Sequence, residues 1–147
     1  MDAFAQIAAL VVAATSALTG VAGAWLWWQV RPERRWWPLL RATQVLCGAF
    51  ALAAGVLYLA GFDPSDKLFW LYALLPIGVN FFAEQLRVVS AQAVLDARDL
   101  PDAQAVGTLP ADQQRSVVRQ ILRRELGVMT LATLVVAFLA LRAFGTA

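Results

Sequence analysis

Four apolar stretches, each about as long as a helix that crosses a bilayer, take up most of this 147-residue chain. They run from about Ala3 to Trp28, Trp36 to Gly61, Leu68 to Leu86 and Leu126 to Phe144. A helix rises ~1.5 Å per residue, so ~20 residues cover the ~30 Å of hydrocarbon. In that medium backbone amides are satisfied only within a helix or a closed barrel. These Ala-, Leu-, Val- and Phe-rich runs lack the ~10-residue alternating segments of a barrel strand, which leaves helices. Composition agrees, with 61% hydrophobic and 15% charged residues and a mean hydropathy of +0.64. A soluble core of this length could not bury so much apolar surface. The expected fold is all-α: an integral membrane four-helix antiparallel bundle, one domain over residues 1–147. The first run reads as a span, because Asp2 is its only early charge and its length exceeds a signal peptide's apolar region.

The 12 basic residues are eleven Arg and one Lys, against 10 acids. Counted over the short connections, Arg31, Arg34, Arg35, Arg41, Arg87, Arg98, Arg115, Arg119, Arg123 and Arg124 fall on one side. Lys67 and Arg142 fall on the other. The positive-inside rule then puts the Arg-rich side in the cytoplasm of a cell membrane, both termini outside. An Arg-rich, Lys-poor, Ala-rich composition suggests a bacterial inner membrane. Trp25, Trp27, Trp28, Trp36 and Trp37 bracket the turn at 31–35 and read as an aromatic belt, with Tyr58, Trp70 and Tyr72 marking the opposite interface. No free-standing Lys/Arg stripe with interleaved aromatics points to nucleic acid. Membrane lipids are the expected partners, with a second copy of the chain or a larger membrane complex.

Residues 88–125 read as a helical hairpin on the Arg-rich side. A polar helix continues from Val88 until Leu100-Pro101 ends it, since the residue before proline is pushed out of the helical region. A second helix begins near Pro110, with Asp112 at its positive dipole end. Val117, Val118, Ile121 and Leu122 then recur opposite Arg115, Arg119 and Arg123. Val88, Ala91, Leu95, Val117, Ile121 and Leu122 are the expected contacts between the two arms.

Ionisable groups at membrane depth are costly and point to a role. Glu84 lies about one turn inside the Arg-rich boundary, with Asn80 a turn deeper and Arg87 three residues on. Arg41 sits at similar depth in the second run, with Gln44 on its face. The expected cluster joins Arg41 to Glu84 and extends through Gln44, Asn80 and Arg87, with Arg124 and Glu125 approaching from the fourth run. It reads either as a clamp between helices or as the mouth of an ion path; the clamp is preferred, because the other half of the membrane offers almost no polar stations. Arg34, Arg35, Arg115, Arg119 and Arg123 are expected to meet lipid headgroups. Pro76 and Gly78 suggest a kink in the third run, or, less simply, a break that binds substrate. Spaced small residues (Ala9 with Ala13, Gly20 with Ala24, Ala51 with Gly55) would let helices approach closely.

The second run opens Leu40-Arg41-Ala42-Thr43-Gln44-Val45-Leu46-Cys47-Gly48. Glutathione-dependent membrane enzymes of the MAPEG family, of similar length and span number, carry Arg-x-x-x-Asn-x-x-Glu there. Arg41 matches, but Val45 and Gly48 stand at the Asn and Glu positions, so the motif is absent. The lack of histidine and the single Cys47 exclude Ser-His-Asp and Cys-His catalysis, His-containing zinc sites, His-ligated haem and an intrachain disulfide. No cofactor or metal site is expected. Three classes of function follow. The first is a non-catalytic accessory subunit or homo-oligomer; the second is an oligomeric channel or transporter centred on Glu84. The third is an enzyme acting on lipid or thiol conjugates, the weakest because only Glu84 and Glu125 could serve as a base.

Overall fold

The computed structural model describes residues 1–31 and 33–147, which are 81% helical with no strand among them. The helices are α1 (Asp2–Trp28), α2 (Trp36–Leu59), α3 (Leu68–Asp96), the short α4 (Ala103–Val106) and α5 (Ala111–Phe144). Pro32, in the expected turn at 31–35, lies outside the described residues. Three helices, α1, α2 and α5, are long and apolar enough to cross a membrane, which is compatible with a membrane protein. α3 is not among them. From Leu68 only 16 residues, about 24 Å of helix, precede Glu84, short of a ~30 Å hydrocarbon core.

α5 lies along α1 and α3, while α2 leans more lightly on α1 and α3. Pairs across these contacts fix the directions. Tyr58 near the end of α2 packs on Trp70 near the start of α3, while Arg41 near the start of α2 meets Glu84 farther along α3, so those helices run antiparallel. Arg142 near the end of α5 lies over Tyr72 near the start of α3, and Glu125 of α5 lies by Arg87 farther along α3, which makes that pair antiparallel too. Leu134 packs on Gly20 and Thr130 on Gly23, so α1 and α5 also oppose. The ten Arg of the 31–41, 87–98 and 115–124 segments therefore gather at one end, with Lys67 and Arg142 at the other.

Small residues set the closeness of these contacts. Ala5, Ala9 and Ala13 of α1 share a core with Ala140 and Ala143 of α5 and with Phe50, Phe62 and Phe69. A Cβ at Gly23 would lie 2.3 Å from the Thr130 hydroxyl and 2.8 Å from Trp36, so only glycine fits there. Gly55 meets nothing within 4 Å, so the Ala51/Gly55 pair makes no such contact. Trp36 corrects the aromatic belt. It is buried against α1, and its indole nitrogen donates to the Thr19 carbonyl at 2.9 Å. Beside it the Thr19 and Thr43 hydroxyls meet at 3.0 Å, a polar seam between α1 and α2.

α3 passes unbroken through the buried Pro76, so no gap in the helix exists for a substrate. It ends at Asp96, four residues before the expected stop at Leu100. Asp99 takes a left-handed φ of 54°, and the Leu100 amide reaches back to the Leu95 carbonyl. That is the geometry that closes a helix end. α4 then begins with the Asp102 carboxylate accepting from the Ala105 amide. The tip packs Val94, Leu95 and Val117 beneath Leu100, Val106, Leu109 and Ile121. Val88, expected in this contact, is 65% exposed, because the loop and α4 build the small core at the tip rather than at the base.

Candidate functional site

Two groups of charged side chains stand at the Arg-rich end. In the first, the antiparallel register of α2 and α3 sets Arg41 and Gln44 opposite Glu84. Glu84 Oε1 accepts from Arg41, and from the Gln44 amide at 3.1 Å. Glu84 Oε2 faces Arg87 Nη1 at 3.4 Å, and Arg87 Nε lies 3.8 Å from Glu125 of α5. Trp37 lies under the Arg87 guanidinium at 5.2 Å. Two cations thus alternate with two carboxylates across three helices. The set is electrically neutral, and burial rises along it, from Arg41 with half its side chain exposed to Glu125 at 17%.

Of the seven side chains expected in this cluster, the structure brings Arg41, Gln44, Glu84, Arg87 and Glu125 together. Asn80 and Arg124 stay apart. One turn deeper than Glu84, the facing residue of α2 is Cys47, and Asn80 approaches that buried thiol instead. Arg124 precedes Glu125 by a single residue, a ~100° turn, and lies on the α1 side beside Trp27.

The second group lies along one face of α5. A concavity of about 560 Å³ is lined by Arg115, Ser116, Arg119, Gln120 and Arg123, with Asp112 at its far end and Val30 opposite. It shares Gln120 and Arg123 with a second of about 330 Å³, closed by Trp27 and Arg124. Trp27 in turn lines a third, of about 300 Å³, with Ala24, Gly127, Thr130, Leu131 and Leu134. Arg123 stacks on the Trp27 ring at 5.1 Å. The indole lies so close over Gly127 that a Cβ there would come within 3.0 Å of it. Asp112, Ser116, Arg119, Arg123, Gly127, Thr130 and Leu134 recur every three or four residues, which is why they share a face. Among the described residues Arg115, Arg119, Arg123 and Arg124 form no ion pair. The nearby Arg98 is engaged by Ser116 and Gln120. Arg34 and Arg35 sit exposed beside the α1–α2 turn, outside this cleft.

That these neighbouring cavities line up along one face was not visible in the sequence, although the Arg115/Arg119/Arg123 spacing was. The missing half is the end of α1, whose Trp27 and Ala24 supply the second wall. Between α3 and α5 a further groove of about 370 Å³ is lined by apolar residues alone, including Gly78, Phe82 and Val135. Among the described residues no three His, Cys, Asp or Glu side chains are grouped to hold a metal ion. No family model, curated protein or solved structure matches the chain.

Proposed function

We propose that this chain is a non-catalytic integral membrane protein, an accessory subunit or homo-oligomer built as a four-helix antiparallel bundle. On this reading α3 completes the set as a short fourth span. The carrying observation is the exposed surface. Leu18 of α1, Leu52 of α2, Phe82 of α3 and Leu131 of α5 are each at least 66% exposed, part of an apolar girdle around all four long helices. Exposed apolar surface on that scale marks contact with lipid or with other chains. The charges, by contrast, collect at the two ends. The neutral Arg41–Glu84–Arg87–Glu125 set reads as a clamp at the Arg-rich boundary, because its carboxylates are already engaged by guanidinium groups and so offer little to a passing ion. By the positive-inside rule the Arg-rich end faces the cytoplasm of a cell membrane, with both chain termini outside.

Alkaline carbonate extraction tests the integral reading. The chain is expected to stay in the membrane pellet and to be released only by detergent. Release into the carbonate supernatant would refute it.

A further inference from the structure

We propose that the cleft between α1 and α5 holds one acidic glycerophospholipid drawn from the leaflet at the Arg-rich end. The phosphate would sit on Arg119 and Arg123, and one acyl chain would lie in the groove below Trp27. This inference rests on the membrane reading above and adds a specific ligand to it.

Charge is the first support. Arg115, Arg119 and Arg123 stack at four-residue intervals on one helix face, an arrangement that is self-repelling unless an anion bridges it. In the same structure Arg41 and Arg87 have carboxylate partners, whereas the cleft arginines have none among the described residues. The one acid in the cleft, Asp112, is seven residues from Arg119, about 10 Å along the helix and therefore a Debye length away. It leaves the Arg119–Arg123 end cationic. Basic pockets between membrane helices are suited to acidic lipid headgroups.

The second support is the change of chemistry along the cleft. At Trp27 the lining passes from guanidinium and amide groups to Ala24, Gly127, Leu131 and Leu134. A soluble phosphate would have no use for that apolar continuation. Leu134, packed on Gly20, closes its deep end. The lining on α5 from Gly127 to Leu134 spans seven residues, about 10 Å of helix, and half of the ~30 Å hydrocarbon core is about 15 Å. The apolar groove therefore fits within the depth of one leaflet. Trp27, with Arg123 stacked on its ring, stands at the junction where a glycerol backbone would lie, a position that suits an amphipathic indole.

Native mass spectrometry of the full-length chain in a mild neutral detergent tests the assignment, with phosphatidylglycerol or phosphatidylcholine added in turn. The expected result is one retained phosphatidylglycerol, held at least tenfold better than phosphatidylcholine. Arg119→Gln with Arg123→Gln should weaken retention roughly 30-fold, about fivefold for each basic residue facing an anionic headgroup. Ala24→Leu keeps every charge and fills the groove, so it should weaken retention of the two-chain lipid as well. Glycerol phosphate in solution should not displace the lipid; full displacement would make this a site for free anions and overturn the proposal. A loss of equal size from Arg34→Gln with Arg35→Gln would assign retention to diffuse surface charge, and that too would overturn it. The membrane reading fails separately, by release at alkaline pH. A chain that stays in the membrane but keeps its lipid selectivity in both cleft variants refutes the cleft alone.

Discussion

Arg87 carries more of the clamp than Arg41, although the sequence draws attention to Arg41. Arg41 meets one carboxylate and is half exposed, so its head can reach water or headgroups when Glu84 is lost. Arg87 faces two carboxylates, and Glu125, the most buried of the four, has no other cation partner among the described residues. Exposed pairs contribute ~0–1 kcal/mol, while orphaning a buried charge costs ~3–5 kcal/mol. Arg87→Gln should therefore destabilise the protein by about 2 kcal/mol and Arg41→Gln by about 0.5 kcal/mol. Adding Glu125→Gln to Arg87→Gln should recover part of the larger loss. Thermal melts of the four proteins in one detergent measure this, and equal losses from the two single arginine variants would refute the ranking. The cluster was legible because polar residues inside apolar runs stand out and helical spacing says which share a face. Which of them meet was less so. Asn80 and Arg124 depart from the cluster for reasons of register and rotation across helix pairs, and periodicity within one helix does not carry that information. Trp36 was misread for a related reason, since a buried tryptophan and a belt tryptophan look alike until the Thr19 carbonyl is found beside the indole.

At the scale of elements, three helices end in the same way with three different residues. After α1, α2 and α3 the chain turns through a left-handed residue, and the next amide returns to a carbonyl five residues back: Arg31 to Leu26, Phe62 to Leu57 and Leu100 to Leu95. Only the middle one uses glycine, Gly61 at φ 77°. Val30 at φ 55° and Asp99 at φ 54° take the strained alternatives. Left-handed backbone costs an ordinary residue ~1–2 kcal/mol, more acutely when it is β-branched, while Asp tolerates it. Val30→Gly should therefore stabilise by about 1 kcal/mol after the entropic cost of glycine, and Asp99→Gly by less than about 0.5 kcal/mol. Gly61→Ala should cost about 1 kcal/mol, and it isolates the backbone effect because nothing lies within 4 Å of the added methyl. A melt series that ranks Asp99→Gly above Val30→Gly would contradict this account. The same chemistry decides what was readable in the chain. The apolar runs are bounded by charge and proline, so α1 and α2 show their limits in the sequence. The end of α3 does not, since an aspartate in a left-handed turn carries no glycine signal. α4 escapes notice because four residues capped by Asp102 leave no periodicity to detect.

For the whole molecule, one consequence of antiparallel packing is that the order of the helices converts a linear count of arginines into a polarity in space. Each connection returns the chain to one of two ends, and all ten Arg between residues 31 and 124 arrive at the same one. At the other end the chain is tied down. The Ser65 hydroxyl donates to the Thr146 carbonyl at 3.0 Å, and the Asp66 amide donates to it at 3.1 Å. The α2–α3 turn and the residues after α5 therefore have to lie on the same side, whichever side that is. This gives the topology an internal check independent of charge. In a Cys47→Ala background, cysteines at Asp63, Gly145 and Gln113 would report on the two ends, since all three positions are exposed and avoid the ion-paired cluster and the proposed lipid cleft. A membrane-impermeant maleimide applied to intact cells should label Asp63→Cys and Gly145→Cys together, and Gln113→Cys only after lysis. If Asp63→Cys and Gly145→Cys react on opposite sides, the packing of α5 against α3 is wrong. If all three patterns invert together, the fold stands and the arginine-rich end, with its proposed lipid site, faces outward.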